Sequence, residues 1–175
     1  MADFIQSWFR GGYRRAKLGF AFEPDPLGTG GGLLFTLNKM RAESDEPILV
    51  LNGDSYMDLD ITRFIDWYLK NDIEAALATP FREDTMRYGA VTFNQEKIVC
   101  FEEKGKAKSG YINGGIYLVK PRIFSHRSLY EKFSIEQDIF PDLAQKGLLY
   151  GFKFEGSFID IGLPESYAFA QKMLN

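Results

Sequence analysis

The chain has 175 residues, of which 45% are hydrophobic, with a formal net charge of −3 and a sequence pI of about 5.3. This length predicts one domain over residues 1–175, and the apolar content excludes a disordered chain. The acidic balance without a basic block argues against a nucleic-acid partner. Cys100 is the only cysteine, and no apolar run approaches the roughly 20 residues of a membrane span. We therefore expect a cytoplasmic protein with no membrane partner.

Segments typical of strands and helices alternate in the first half of the chain. The hydrophobic pattern predicts, in order, a helix at Asp3–Arg10, a strand at Leu18–Glu23, a loop at Pro24–Gly32, a helix at Leu33–Arg41, a buried strand at Pro47–Asn52, a helix at Ile61–Lys70 and a strand at Glu74–Thr79. Such alternation is typical of a three-layer α/β domain with a mostly parallel sheet.

Paired strands follow in the second half. The predicted elements are a hairpin of Ala90–Phe93 and Ile98–Glu103, a strand at Tyr111–Val119, a helix from the capping box Ser134–Gln137 through Lys146, strands at Leu148–Phe154 and Ser157–Ile161, and a helix at Pro164–Met173. We therefore expect the sheet to be mixed, with antiparallel strands in its second half.

Several polar residues follow the predicted strands, where ligands bind in open α/β sheets. Asp54 directly follows Gly53 and Asp160 lies two residues before Gly162, each at the end of a predicted buried strand, so together they predict a Mg²⁺ site for phosphate chemistry. Either aspartate alone would more often cap a helix or turn. The glycine-rich segment Pro26–Gly32 could contact a nucleotide through the N–H groups of the helix that follows, or could form a tight turn.

Four further features are weaker candidates. Lys104 could bind phosphate, and Glu103 could accept hydrogen bonds from sugar hydroxyls, although both could be ordinary surface charges. Glycine within the strand at Asn113-Gly114 is unfavourable unless a ligand or another backbone approaches closely. Tyr88-Gly89 opens the hairpin and could close over a sugar or form a plain turn.

Six motifs occur in order along nearly the whole chain, and with them the sequence resembles the sugar-phosphate nucleotidyltransferases. The resemblance is greatest to the D-glycero-D-manno-heptose 1-phosphate and mannose-1-phosphate guanylyltransferase branch. The motifs are E-P-D-P-L-G-T-G-G (Glu23–Gly31), V-L-N-G-D (Val50–Asp54), R-Y-G-A-V (Arg87–Val91), F-E-E-K (Phe101–Lys104), I-N-G-G-I-Y (Ile112–Tyr117) and F-I-D-I-G-L-P-E-S-Y (Phe158–Tyr167).

The resemblance implies a Rossmann-like, GT-A-like fold and transfer of a nucleoside monophosphate, GMP above all, from a nucleoside triphosphate to a sugar 1-phosphate. It also implies a role in nucleotide-sugar synthesis for lipopolysaccharide or capsule. The implied roles are nucleotide binding by Leu27, Gly28, Thr29, Gly30, Gly31, Asn52 and Gly53, sugar binding by Tyr88, Gly89, Glu103, Asn113 and Gly114, catalysis by Asp54, Lys104 and Asp160, and Mg²⁺ binding by Asp54 and Asp160.

The sequence departs from the family pattern at its start. The family opens with a buried strand that leads into G-G-x-G-T-R-L, and this chain has no equivalent; its Arg10-Gly11-Gly12 follows no apolar strand. We therefore expect a poor catalyst, whereas ordinary turnover in a pyrophosphate-release assay would contradict this. Unpaired sheet edges would favour a homodimer or a companion fragment. Two alternatives stay open: a thymidylyl-, uridylyl- or cytidylyltransferase of the same fold, and a non-catalytic binding fragment.

Overall fold

A computed structural model describes residues 2–9, 16–102 and 108–174 of the chain. The helices are α1 (Ala2–Trp8), α2 (Gly28–Met40), α3 (Ile61–Lys70), α4 (Phe140–Gln145) and α5 (Pro164–Leu174). The strands are β1 (Ile48–Leu51), β2 (Ser55–Met57), β3 (Ala75–Arg82), β4 (Val91–Asn94), β5 (Lys97–Phe101), β6 (Gly110–Tyr111), β7 (Ile116–Val119), β8 (Leu149–Phe154) and β9 (Phe158–Asp160). The predicted hairpin is confirmed as β4 and β5, and the predicted helix at Ile61–Lys70 is confirmed as α3.

The main sheet has the strand order β1-β7-β3-β8-β5-β4, and β6 pairs with the last residues of β3. Strands β3 and β8 are parallel neighbours, whereas β7 lies antiparallel between β1 and β3. The mixed sheet is confirmed, but most pairs among the described strands are antiparallel rather than parallel. The reason is that β7, from the second half of the chain, inserts between two strands of the first half. Strands β2 and β9 form a separate antiparallel pair.

Side chains of β3 alternate between the two faces of the sheet. Ala75 and Leu77 belong to a core formed with α2, α4 and the segment before α4, while Ala76 and Ala78 belong to a core formed with α3. This alternation follows from the two-residue period of a strand, and both faces are apolar because helices cover both. The predicted three-layer arrangement is therefore confirmed.

Two elements near the start differ from the sequence prediction. Residues 18–23 form no strand and pair with no described strand, so no ladder stabilises an extended segment there, and Leu18 and Phe22 are each 42% exposed. Helix α2 begins at Gly28, five residues before the predicted start at Leu33, so most of the predicted glycine-rich loop forms the first turns of a helix. Packing against residues 131–135, described below, overrides the low helix propensity of glycine.

The predicted capping box is present, but the helix that it opens is irregular. The Ser134 hydroxyl accepts a hydrogen bond from the Gln137 N–H, and Ile135–Ile139 form a π-helical turn that leads into α4. Pro141 follows this turn, and a proline has no N–H to continue a regular helical ladder. The wider turn therefore accommodates the proline, and it aims Glu136 into the cavity described below.

Within the described ranges, no helix has the length and apolar character that would let it cross a bilayer.

A network of charges joins β3, β7 and the loop before β1 at the sheet end opposite the candidate site. Lys120 Nζ lies 2.7 Å from Asp72 Oδ1 and 3.7 Å from Glu74 Oε1. The Arg122 guanidinium donates to both oxygens of Glu74 and, at 2.5 Å, to Asp45 Oδ1. The hydrogen bond from Arg122 is the largest cause that lowers the pKa of Glu74 below its usual value.

This network predicts a pH-dependent stability. Because the folded-state pKa of Glu74 is depressed, its stabilisation is present above the unfolded-state pKa of about 4.3 and is lost as pH falls through the folded value. We expect Glu74→Gln to lower the free energy of unfolding by about 1–2 kcal/mol at pH 7, with the difference shrinking as pH falls from 7 through the folded-state pKa of Glu74. Urea denaturation across that range measures it, with exposed Glu43→Gln as the control. A Glu74→Gln difference that is independent of pH would contradict the assignment.

Candidate active site

One cavity of about 890 Å³ opens at the carboxyl ends of β1 and β3, between the β4–β5 hairpin and the π-helical turn. Its lining comes from segments far apart in sequence, as expected for a site at the edge of an α/β sheet. The predicted site residues that line it are Asn52, Asp54, Tyr88, Gly89, Asn113, Gly114 and Asp160. The fold therefore brings together seven side chains and glycines that the sequence singled out from four separate motifs.

Asp54 and Asp160 lie at adjoining ends of the β2–β9 pair. Ser55, which follows Asp54, is the register partner of Asp160, and the N–H of Ile161 donates to the carbonyl of Asp54 at 2.9 Å. Asp160 Oδ1 accepts from the N–H of Gly162 at 2.7 Å, which fixes the carboxylate. Backbone pairing thus holds the two aspartates at one wall of the cavity.

The donors at this wall suit a magnesium ion shared with a substrate. In the described part of the chain, no group of three or more His, Cys, Asp and Glu side chains forms a complete metal cage. Mg²⁺ binds through one or two carboxylates and takes its other ligands from phosphate and water. Two carboxylates facing a cavity therefore fit such an ion, and Asp54 and Asp160 are the residues that would hold it.

The Asn113-Gly114-Gly115 segment separates β6 from β7 at the cavity floor. Asn113 Oδ1 accepts from the N–H of Gly115, and Gly115 accepts from the N–H of Asn52 at 2.8 Å. A Cβ on Gly114 would lie 2.1 Å from Met57 Cε and 2.9 Å from the Ala78 carbonyl oxygen. Glycine is therefore required at position 114 by neighbouring protein atoms and not by a ligand. The amide of Asn113 remains at the cavity surface.

Arg87, Tyr88 and Gly89 form another part of the cavity lining. The N–H groups of Tyr88 and Gly89 both donate to the Thr85 carbonyl, and Gly89 adopts a φ of 72°, which favours glycine. The Tyr88 ring packs edge-on against Phe158, 5.6 Å between centroids. This turn therefore holds the predicted sugar-binding pair rigidly, and it also brings the unpredicted Arg87 to the cavity.

Glu136 is a cavity residue that the sequence did not reveal. Its carboxylate accepts from the Thr29 hydroxyl at 2.5 Å, the Ser134 hydroxyl at 2.8 Å and the Tyr117 hydroxyl at 3.2 Å. The Tyr117 oxygen in turn accepts from Asn113 Nδ2 at 3.1 Å. Burial and then the Glu136 charge raise the pKa of Tyr117, so its phenol stays neutral and donates. A continuous hydrogen-bonded chain thus joins the glycine-rich segment to the Asn113 amide.

The glycine-rich segment itself packs beside the cavity rather than lining it. Leu27 is buried, and the N–H groups of Gly30 and Gly31 both donate to the Phe133 carbonyl, at 3.1 and 3.2 Å. Gly28 takes a φ of 78° next to the same carbonyl. The backbone donors of Gly30 and Gly31 are therefore already used within the protein, and the Thr29 hydroxyl is the group that reaches a cavity residue.

The remaining predicted residues lie elsewhere. Gly53 belongs to a smaller cavity of about 450 Å³ behind β2, formed with α5. Glu103 and Lys104 fall outside the described residues, so their predicted roles stay predictions.

The Thr29–Glu136 contact gives a measurable coupling. We expect Thr29→Val and Glu136→Gln each to destabilise the chain, with a coupling free energy of about 1 kcal/mol in the double-mutant cycle. Urea denaturation of the four proteins measures it. Thr36→Val, which removes a hydroxyl bonded to Gly32 within α2, is the matched control and should be additive with Glu136→Gln. Additive Thr29 and Glu136 effects would show that the hydrogen bond does not stabilise the fold.

Comparison with known proteins identifies the family to which this chain belongs. A family model described as Nucleotidyl transferase matches residues 4–175. The chain belongs to the nucleotidyl transferase family. It is 33% identical over 172 residues to a D-glycero-alpha-D-manno-heptose 1-phosphate guanylyltransferase of Aneurinibacillus thermoaerophilus, covering 98% of this chain and 74% of that protein. A probable mannose-1-phosphate guanylyltransferase of Arabidopsis thaliana is 34% identical over 160 residues, with 90% and 48% covered.

Solved structures agree with this membership. The HddC protein of Yersinia pseudotuberculosis, complexed with GMP-PN, superposes with a TM-score of 0.84 at 31% identity and covers 99% of this chain and 75% of its own. A glucose-1-phosphate thymidylyltransferase structure from Bacillus anthracis, at 22% identity and a TM-score of 0.77, shares the fold. The predicted membership of the sugar-phosphate nucleotidyltransferases, and with it the predicted enzyme class, is confirmed.

Proposed function

We propose that this nucleotidyltransferase transfers a guanylyl group from GTP to a sugar 1-phosphate, forming a GDP-sugar and pyrophosphate. The observation that carries the proposal is the meeting of Asp54 and Asp160 at one wall of the 890 Å³ cavity, with the Asn113 amide and the Tyr88-Gly89 turn on its other sides. The guanylyltransferase names of its relatives support guanine as the base.

In the proposed reaction, an oxygen of the sugar phosphate attacks the α-phosphorus of GTP. A new P–O bond forms there, and the bond from the α-phosphorus to the bridging oxygen breaks, so pyrophosphate leaves with the electron pair. Mg²⁺, when bound, would neutralise negative charge on the phosphates. The protein's share is to position both substrates, with Asp54 and Asp160 holding the cation and the Asn113 amide facing the sugar.

A nucleotide panel tests the choice of base. Thermal unfolding is followed with GTP, dTTP, UTP or CTP, each with Mg²⁺ and mannose 1-phosphate. We expect GTP to raise the melting temperature most, because a site that hydrogen-bonds one base leaves its polar groups unpaired with another. A larger shift with dTTP, UTP or CTP would assign the alternative base. A response to mannose 1-phosphate but to no nucleotide would favour a non-catalytic binding fragment.

We also propose that the chain pairs with a second copy of itself through an exposed apolar surface. Phe4 and Trp8 of α1 are 68% and 75% exposed, and beside them Leu18 and Phe20 line an apolar cavity of about 520 Å³. Strand β1 is an edge of the main sheet, and its Leu51 is 56% exposed. Contiguous apolar surface of this kind is typical of interfaces, and open edges invite pairing.

Light scattering tests the association. We expect a dimer in wild type and a monomer after the double substitution Trp8→Lys and Phe20→Lys, with Met40→Lys on α2 as an exposed apolar control. A wild-type monomer would contradict a homodimer, and a monomer that becomes a complex only with another polypeptide would assign a companion fragment. A cytoplasmic location and a role in lipopolysaccharide or capsule precursors remain part of the proposal, supported by the relationship to sugar-phosphate guanylyltransferases.

A further inference from the structure

The charges that line the main cavity are unequal. Its described carboxylates are those of Asp54, Glu102, Glu136 and Asp160, whereas Arg87 is the one cationic side chain among the described lining residues. Both proposed substrates carry phosphate and are strongly anionic. Any phosphate that enters must therefore meet positive charge to offset the repulsion of these carboxylates.

Arg87 is placed to supply that charge, because its backbone is held in a turn while its guanidinium is exposed and only loosely bonded. Its backbone lies in the turn held by the hydrogen bonds to Thr85, while its side chain is 47% exposed. Nη2 lies 3.5 Å from Asp160 Oδ2, which is the outer limit of a hydrogen bond. The guanidinium carbon lies 5.4 Å from the centroid of the Tyr88 ring, whose face attracts a cation without fixing its direction.

From this geometry we infer that Arg87 binds a phosphoryl group of a substrate and otherwise neutralises Asp160. The inference rests on the proposed function, in which Asp160 is a metal ligand. Arg87 and a divalent cation then compete for the same carboxylate oxygen. When the carboxylate is occupied by a cation, the guanidinium is released toward the phosphate oxygens, for which its planar donors are well suited.

The competition predicts opposite effects of one substitution on two ligands. Removing the charge of Arg87 should weaken binding of a phosphorylated ligand, because a charge-assisted hydrogen bond is lost. The same substitution should strengthen binding of a divalent cation at Asp160, because a competing positive charge is gone. An ordinary surface ion pair would change neither ligand appreciably, and a purely structural role would weaken both together.

The experiment compares wild type with Arg87→Gln, Arg87→Lys and the exposed helix variant Arg63→Gln. Calorimetric titrations in saturating Mg²⁺ use mannose 1-phosphate in one arm and GTP in the other, so the arm that responds identifies the phosphoryl group. Water-proton relaxation measures Mn²⁺ binding without substrate, with Asp160→Asn marking the contribution of that carboxylate. Folding of every variant is checked by thermal unfolding.

We expect Arg87→Gln to weaken mannose 1-phosphate or GTP by roughly tenfold and to tighten Mn²⁺ by about three- to fivefold. Arg87→Lys should keep most of the charge effect on Mn²⁺ but lose part of the phosphate affinity, and Arg63→Gln should match wild type. Unchanged affinities in Arg87→Gln, or weaker binding of both the phosphorylated ligand and Mn²⁺, would overturn the inference about Arg87 but leave the proposed function standing. Failure of wild type to bind either phosphorylated ligand would overturn the proposed function as well.

Discussion

Asp54→Asn and Asp160→Asn are each expected to lower the rate of pyrophosphate release from GTP and mannose 1-phosphate by at least about 100-fold. Each substitution keeps the size of the side chain and removes the charge that would hold the cation. At position 160 the amide oxygen can still accept the hydrogen bond from Gly162, so the end of β9 should stay in place. The effect is therefore expected on the reaction and not on the fold.

The control for this prediction is Asp58→Asn. Asp58 is exposed at the far end of β2 and does not line the cavity, so its variant should keep the wild-type rate. Mn²⁺ affinity, measured by water-proton relaxation, should fall in both Asp54→Asn and Asp160→Asn. A variant of either residue that keeps half of the wild-type rate would remove that aspartate from the proposed metal site.

Gly31→Ala is expected to lower the free energy of unfolding by about 2–4 kcal/mol. The added Cβ would lie 2.4 Å from the Glu131 carbonyl oxygen and 2.9 Å from Leu27 Cβ. Alanine gains about 1 kcal/mol over glycine in helix propensity, and the clash outweighs this gain because a backbone carbonyl cannot turn aside. Helix α2 must then move away from the segment that carries Glu136.

The control is Gly53→Ala, which adds the same methyl group at a glycine with open space around it. A Cβ at Gly53 would meet no atom within 4 Å, so its stability should change by less than about 0.5 kcal/mol. Urea denaturation of both variants measures the contrast. Equal stabilities would mean that the glycine-rich segment is not held against residues 131–135 as described. Loss of the Thr29–Glu136 coupling in Gly31→Ala would independently report displacement of α2.

Local patterns along the chain predicted much of the fold. Helix α3 has the predicted bounds Ile61–Lys70, because its apolar spacing and the Asp60 cap agree. The sequence could pair Asp54 and Asp160 because each lies at the end of a predicted strand, where ligands bind in α/β domains. The structure brings them together through the separate β2–β9 pair rather than through the main sheet. These are cases in which local sequence and tertiary packing favour the same structure.

Contacts distant in sequence determined the features that the patterns missed. The low helix propensity of glycine predicts a loop at Gly28–Gly32. The segment is helical because residues 131–135, including the Phe133 carbonyl, pack so closely against it that side chains would not fit. Glu136 reads as part of a capping box, and its place in the cavity depends on the π-helical turn before Pro141. Arg87 opens the motif R-Y-G-A-V, but the motif gave it no role, because its partner Asp160 lies 73 residues away in the sequence.

The most direct test of the proposed transfer is a ³¹P NMR spectrum of the chain at a concentration comparable to its substrates. The substrates are GTP and Mg²⁺ with mannose 1-phosphate or D-glycero-D-manno-heptose 1-phosphate. We predict the diphosphate resonances of a GDP-sugar together with an equal amount of pyrophosphate, and neither product from the variant carrying both Asp54→Asn and Asp160→Asn. Unchanged substrates with the wild-type chain, or the same product from the double variant, would contradict the proposed role of this cavity.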